Sequence, residues 1–163
     1  LFVCTGNTCR SVMAAALFQH YAEEYGLDVR VESAGLGAFT GDPATDHTHE
    51  VLKEMGLDVS NHRSRFLRPE LAEEFDLILV MTHQHKAELL RTQPYLEDKV
   101  FLLKEFAQLN GLLQQEPVEE EEKVYGISDP FGQSLQVYQE ARDEIAAAIK
   151  TIVERWRELE VNE

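Results

Sequence analysis

Cys4 and Arg10 are the residues whose types and spacing point most directly to chemistry. Five residues separate them in the segment VCTGNTCRS, residues 3–11, which lies between an apolar stretch and a helical pattern. The backbone N–H groups of such a loop can surround an anion, and the N-terminus of the following helix adds positive potential. A cysteine thiolate is a nucleophile in that setting, and a planar guanidinium can bind two phosphate oxygens. The spacing therefore predicts phosphoryl transfer through Cys4, with Arg10 as the phosphate clamp.

The other residues of this segment are suited to shaping an anion site. Gly6 and Asn7 tolerate the left-handed backbone that a tight loop needs. The Ser11 hydroxyl is placed to donate a hydrogen bond to the sulfur of Cys4. We therefore expect a phosphate-binding loop formed by Thr5, Gly6, Asn7, Thr8, Cys9, Arg10 and Ser11.

Phosphoryl transfer through a cysteine also requires a general acid and base, a role that the family resemblance given below implies for Asp129, which precedes Pro130 and a long helical pattern. A leaving group needs a proton as its bond to phosphorus breaks, and water must later lose a proton to cleave a phosphocysteine. One carboxyl group can serve both steps. The alternative is that Asp129 and Pro130 only form a turn before the helix.

Cys9 has two interpretations, as a small buried residue of the loop or as a redox partner of Cys4. In the second case its thiol would trap oxidised Cys4 as a reversible disulfide. The sequence contains only these two cysteines, five positions apart, so a structural disulfide framework is excluded. Reduced thiols favour a cytoplasmic protein.

Short apolar runs alternate with helical patterns along the whole chain, which is typical of a parallel sheet covered by helices. We predict an α/β fold, a single three-layer domain over residues 1–163, with a four-stranded parallel sheet flanked by helices. The phosphate-binding loop follows the first strand. The predicted strands are 1–3, 29–33, 76–81 and 100–103, and the predicted helices are 11–25, 43–55, a turn from Pro69, 82–90 and 134–158.

The bulk properties narrow the possible partners. The formal charge of −15 argues against nucleic acid and against an anionic membrane surface. No apolar stretch approaches the roughly 20 residues that span a bilayer. We expect a monomer. The negative charge has two interpretations, one that it keeps the protein soluble and the other that it favours cationic protein substrates. Because residues 1–3 already resemble a strand, a few residues are expected to precede Leu1.

The segment CTGNTCRS, together with Asp-Pro-Phe-Gly at 129–132, resembles the low-molecular-weight protein tyrosine phosphatases. SAG at 33–35 and NHRSR at 61–65 extend the likeness over essentially the whole chain. The resemblance implies Cys4 as nucleophile, Arg10 as clamp and Asp129 as general acid, acting on phosphorylated proteins. It also implies that the side chains bracing the loop are Asn7, Ser33 and His62. No cofactor or metal is needed.

Within that family the loop resembles the protein arginine phosphatase branch, since Thr8 stands where tyrosine-specific relatives usually carry an aliphatic residue. Thr8 would make one wall of the cleft polar toward a phosphoguanidinium group. Phe131 and residues 134–144 also resemble this branch. We expect the specificity residues to be Thr8 and three apolar walls, Leu36, Phe39 and Phe131. A tyrosine phosphatase of the same family is the alternative.

Three other functions were weighed against these residues. Arsenate reductases with a similar loop relay electrons through further cysteines, and none follows Cys9. A phosphocarrier must preserve its thiophosphate, which Arg10 and Asp129 would not favour. A phospho-residue-binding domain has no need of Cys4, Ser11 and Asp129 together, although only turnover excludes it.

Two His-x-His pairs, 47–49 and 83–85, could suggest a metal site. No third ligand accompanies either pair, so we expect these histidines to be solvated. The acidic run at 119–122 is expected to lie in an exposed loop, and no role is assigned to it.

Overall fold

The computed structural model describes residues 1–109 and 125–162. Its sheet has four parallel strands in the order β2-β1-β3-β4, which confirms the predicted fold. The strands are β1 Phe2–Cys4, β2 Ser33–Gly35, β3 Ile78–Val80 and β4 Val100–Leu102. The helices are α1 Arg10–Tyr25, α2 Asp46–Lys53, α3 Pro69–Glu73, α4 His83–Thr92, a 3-10 helix Pro94–Lys99, α5 Leu103–Gln108 and α6 Leu135–Val161.

Helices cover both faces of the sheet. Alternate residues of a strand point to opposite sides, and in the inner strands the residues of both sides are apolar and require cover. Phe2 and Leu79 join the hydrophobic cluster that contains the buried residues of α1, α5 and α6. Val3 and Val80 join the other cluster, with buried residues of α3, α4 and the 3-10 helix. The inner strands β1 and β3 are therefore buried on both sides, and their apolar runs reflect this.

The second strand lies later in the chain than the sequence suggested. We predicted residues 29–33, but β2 is Ser33–Gly35, and its register pairs Phe2 with Ser33 and Cys4 with Gly35. The apolar residues Val29 and Val31 pack beside the cluster under α1 without joining the sheet. A strand of Ser, Ala and Gly has little β propensity, so its hydrophobic pattern could not reveal it.

The ends of the helices follow ordinary capping rules. Gly26, in the left-handed conformation, ends α1, and the Ser134 hydroxyl accepts a hydrogen bond from the backbone at the start of α6. Helix α2 begins at Asp46 rather than at residue 43, because Thr45 supplies its cap.

Two predictions go beyond what the described part of the chain tests. The acidic run 119–122 lies outside the described residues, and the single domain over 1–163 stays a prediction. Among the described residues, no helix is long and apolar enough to cross a membrane.

Candidate active site

The loop that follows β1 opens at the carboxyl edge of the sheet, where α/β proteins bind their ligands. Cys4 is the last residue of β1, and α1 begins at Arg10. Cys9 provides no side-chain cap, and the first turn of α1 carries no acidic residue. The backbone N–H groups at the N-terminus of α1 are therefore available to an anion. The Sγ atom of Cys4 lies 2.9 Å from the buried Oγ of Ser11.

Asn7 holds the loop together from within. It is fully buried, and its φ of 54° is the only left-handed value of a non-glycine residue in the described chain. Its Nδ2 donates to Ser11 Oγ at 2.8 Å and to Ser33 Oγ at 3.0 Å, and its Oδ1 accepts from the backbone N of Arg65 at 3.0 Å. The Nε2 of His62 lies 2.7 Å from the Asn7 carbonyl oxygen. Burial lowers the pKa of His62, so a neutral ring donates this bond.

The start of the loop is pressed against β2. A Cβ at Gly35 would lie 2.5 Å from the Thr5 carbonyl oxygen, so this position has no room for a side chain. The backbone N of Gly37 donates to Thr5 O at 3.0 Å, and that of Leu36 donates to Cys4 O at 2.9 Å. Leu36 was predicted to form a wall of the cleft. Its side chain is instead partly buried against the cluster of Val3 and Val80, and it is not among the residues that line the pocket.

Arg10 joins the loop to the Asp129 segment. Its guanidinium is buried, and Nη1 donates to the carbonyl oxygen of Ile127 at 2.9 Å. Its Nη2 lies 3.6 Å from Oδ2 of Asp129, whose side chain is 54% exposed. The backbone N of Phe131 donates to Oδ1 of Asp129 at 3.1 Å, which fixes the carboxyl group on its turn. The structure thus brings together the predicted nucleophile, clamp and acid.

These residues enclose a pocket of about 200 Å³. Phe131 forms part of its wall and is 65% exposed, whereas Phe39 is 80% exposed and does not line it. The residues that line the pocket are Cys4, Thr5, Gly6, Thr8, Cys9, Arg10, Asp129 and Phe131.

The far side of the loop contacts α2 and α6. The Thr8 carbonyl oxygen accepts hydrogen bonds from the backbone N of Thr45 at 3.1 Å and from Oγ1 of Thr48 at 3.0 Å. The Cys9 thiol is free and lies 3.3 Å from the Tyr138 hydroxyl and 3.5 Å from Thr45 Oγ1. Burial and the contact with Cys9 raise the pKa of Tyr138 to about 12, so this hydroxyl keeps its proton. Both interpretations of Cys9 remain open.

His85 was misjudged from the sequence. It was expected to be solvated, but only 5% of it is exposed, and its Nε2 lies 2.9 Å from Thr5 Oγ1. Burial, followed by the charge of Arg10, lowers the pKa of His85 to about 4. Its place after β3, beside β1, was the signal that could have revealed it. Among the described residues, no group of three or more His, Cys, Asp or Glu side chains could hold a metal ion.

Thr45, Thr48 and Tyr138 also escaped the sequence prediction as supports of the loop. Nothing in their local patterns distinguishes them from a helix cap, a helix interior and a core aromatic residue. Only the packing of α2 and α6 against the loop reveals their role.

Comparison with known proteins gives matches that cover between 63% of the chain and nearly all of it. The family model described as low molecular weight phosphotyrosine protein phosphatase matches residues 1–162. The protein-arginine-phosphatase of Bacillus subtilis is 41% identical, over 95% of this chain and 94% of its own. The low molecular weight protein-tyrosine-phosphatase Wzb of Escherichia coli is 39% identical, over 63% of this chain and 67% of its own.

A solved structure supports the same likeness. The YwlE arginine phosphatase from Geobacillus stearothermophilus superimposes with a TM-score of 0.82 at 38% identity. The match covers 99% of this chain and 94% of that one.

Proposed function

Because the chain belongs to the low-molecular-weight phosphotyrosine protein phosphatase family, we propose that it hydrolyses phosphoarginine in proteins. The reaction passes through a phosphocysteine intermediate on Cys4. The observation that carries this proposal is the single pocket surface on which Cys4, Arg10 and Asp129 meet, with Thr8 in its wall.

In the first step the Cys4 thiolate attacks phosphorus, and the bond from phosphorus to the guanidine nitrogen breaks. The electron pair of that bond goes to the nitrogen, which receives a proton from the Asp129 carboxyl group. The Ser11 hydroxyl, which accepts from Asn7, has its own proton available for the sulfur 2.9 Å away. The loop N–H groups and Arg10 bind the phosphoryl oxygens as charge shifts among them.

In the second step water attacks the phosphocysteine. Asp129, now a carboxylate, takes a proton from that water, and the sulfur leaves as a thiolate. Asp129 suits both steps because its carboxyl group reaches the pocket while 54% of its side chain is exposed to solvent.

The preference for arginine rests on Thr8 and on the relatives that match most of the chain. Two of them, from Bacillus subtilis and Geobacillus stearothermophilus, are named as protein-arginine-phosphatases at 41% and 39% identity. Tyrosine phosphatases occur among the relatives as well, so hydrolysis of phosphotyrosine is the second candidate.

The experiment compares kcat/KM on one peptide scaffold that carries either phosphoarginine or phosphotyrosine. Cys4→Ser serves as the blank, and Thr8→Ile tests the polar wall. A preference for phosphoarginine that Thr8→Ile reverses is the expected result. A preference for phosphotyrosine in the wild type would return this protein to the tyrosine-specific branch. Turnover of neither peptide, with inorganic phosphate still bound, would favour a carrier or a phospho-residue-binding domain.

The setting of the reaction belongs to the same proposal. Cys4 and Cys9 are both free thiols, and a catalytic thiolate is preserved in a reducing compartment. We therefore propose a cytoplasmic location. We also propose a monomer that acts on phosphorylated proteins, and the formal charge of −15 is the reason to propose no nucleic acid or membrane partner.

A further inference from the structure

His85 lies directly beneath the phosphate-binding loop. It belongs to the first turn of α4, which follows β3, and β3 is hydrogen-bonded to β1 in the sheet. Its backbone N is fixed by a hydrogen bond to Thr82 Oγ1 at 3.2 Å. The side chain is 95% buried yet polar, and such a group normally serves a hydrogen bond.

The partner of His85 is the residue that follows the nucleophile. Its Nε2 lies 2.9 Å from Thr5 Oγ1, and Thr5 lines the pocket. On the opposite side, the Thr5 carbonyl oxygen accepts from the backbone N of Gly37 at 3.0 Å. Thr5 is therefore held between the segment after β2 and the start of α4.

The chemistry of a histidine suits this position. Arg10 is close enough to disfavour a second positive charge, and the N-terminus of α4 acts in the same direction. A neutral ring has one donor and one acceptor nitrogen. The buried Nδ1 has no hydrogen-bond partner among the described residues. Because a buried N–H without a partner is rarer than a bare acceptor, the proton belongs on Nε2, which donates to Thr5.

We propose that His85 is a positioning residue, which acts through the Thr5 hydroxyl to hold the start of the loop in its phosphate-binding shape. This deepens the proposed function, since the loop is its reaction site. The consequence for binding is nevertheless separate from the choice of substrate. A loop that is already shaped binds the phosphoryl group without first ordering Thr5.

The test uses two replacements that differ in reach. In His85→Gln the amide nitrogen can occupy the place of Nε2, whereas in His85→Asn it reaches only the level of Nδ1. Thr5→Val removes the hydroxyl from the other side and keeps the β-branched shape. The affinity for inorganic phosphate is measured by calorimetry, and kcat/KM is measured on a phosphoarginine peptide.

We expect His85→Asn and Thr5→Val each to weaken phosphate binding by about three- to tenfold, the range of one ordinary hydrogen bond. His85→Gln should stay within about twofold of the wild type because it restores the donor. The double variant His85→Asn/Thr5→Val should lose no more than either single variant, since both remove the same bond.

Three results would overturn the proposal. Equal losses in the Gln and Asn variants would make His85 a space-filling residue, and additive losses in the double variant would mean that it does not act through Thr5. Should the His85 variants not fold, unchanged phosphate affinity in Thr5→Val alone would refute it. A wild type that binds phosphate but fails to hydrolyse phosphoarginine would instead count against the proposed function, and phosphate affinity would still judge His85.

Discussion

The two halves of the pocket are built differently. The floor of the loop half is deeply buried, with Cys4, Asn7, Arg10 and Ser11 each at most 4% exposed, whereas its rim at Thr5 is exposed. The half that carries Asp129 faces solvent, and its side chain is 54% exposed. The same reaction site therefore combines a phosphate cradle with a buried floor, formed by residues 4–11, and an acid on a surface turn.

The contacts of each half explain the difference. Asn7 alone ties the loop to three groups, the Ser11 hydroxyl within the loop and the Ser33 hydroxyl and Arg65 backbone N–H outside it. The Asp129 turn is held by two local hydrogen bonds, from Phe131 N to Asp129 Oδ1 and from Gln133 Nε2 to the Asp129 carbonyl oxygen. We infer that the cradle is shaped before substrate arrives, which limits the reorganisation during reaction. The acid lies on a surface turn, and we expect its replacement to leave that shape intact.

The largest expected effect separates chemistry from binding. Asp129→Asn should lower kcat on a phosphoarginine peptide by about 10²- to 10⁴-fold, because the leaving nitrogen loses its proton donor. The affinity for inorganic phosphate should not fall, since the hydrogen bonds of the loop stay in place and Arg10 loses only its 3.6 Å contact with the charged carboxyl group. Steady-state kinetics and phosphate calorimetry measure the two quantities. An equal loss in both would show that the acid turn also shapes the cradle.

The next effect concerns stability. Asn7→Ala should lower the free energy of unfolding by about 3 kcal/mol, because it leaves buried hydrogen-bonding groups without partners and places alanine at a left-handed φ. Asp129→Asn, on the surface, should change it by less than about 0.5 kcal/mol. Urea denaturation measures both, and Asn7→Gly isolates the backbone cost. Similar values for Asn7→Ala and Asp129→Asn would remove the proposed contrast.

The third effect is the dependence of the free energy of unfolding on pH, which His85 should control between pH 6.5 and pH 4. The pKa of His85 is lowered from 6.5 to about 4, so the unfolded chain binds more protons between these values. The contribution of the neutral His85 ring to the free energy of unfolding is complete above pH 6.5 and is lost as the pH falls toward 4. Between pH 7 and pH 5 the wild type should lose at most about 2 kcal/mol more than His85→Gln. Parallel pH-stability curves for the two proteins would contradict the buried, neutral ring.

The smallest effect is expected at the exposed wall. Phe131→Ala should raise KM for a phosphoarginine peptide by about three- to tenfold, because the ring loses contact area with the substrate. The free energy of unfolding should stay unchanged, since the ring is 65% exposed. Phe39→Ala, outside the pocket lining, is the matched comparison. An unchanged KM for Phe131→Ala would show that Phe131 does not act as an apolar wall for the substrate in the half of the pocket that carries Asp129.

The sequence was informative where chemistry and local pattern coincide. Cys4, Arg10 and Ser11 lie within one short segment, so their spacing alone predicted the cradle. Asp129 required the resemblance, because 118 residues separate it from Arg10 and only the fold brings their side chains to 3.6 Å. Strand β2 was placed too early because register, rather than hydrophobicity, decides which residues pair with β1.

His85 and Thr48 show why the rest was out of reach. The place of His85 after β3 indicates the edge of the sheet at which it lies but not its partner, and a threonine in a helix interior has no local signature of a loop contact. Their contacts span 80 and 40 positions of sequence, to Thr5 and Thr8 respectively. Such long-range pairs are set by the packing of α4 and α2, which the patterns of single segments do not encode.

The contrast between Gly35 and Thr8 bears on how this enzyme could acquire new substrates. Position 35 admits no side chain, because a Cβ there would meet the Thr5 carbonyl oxygen at 2.5 Å. Thr8, by comparison, is anchored through its carbonyl oxygen, which every amino acid possesses.

Exchanging the Thr8 side chain would leave both anchoring bonds in place, and a threonine codon becomes an isoleucine codon by one base change. Selection can therefore alter the cleft wall in a single mutational step while the cradle is inherited unchanged.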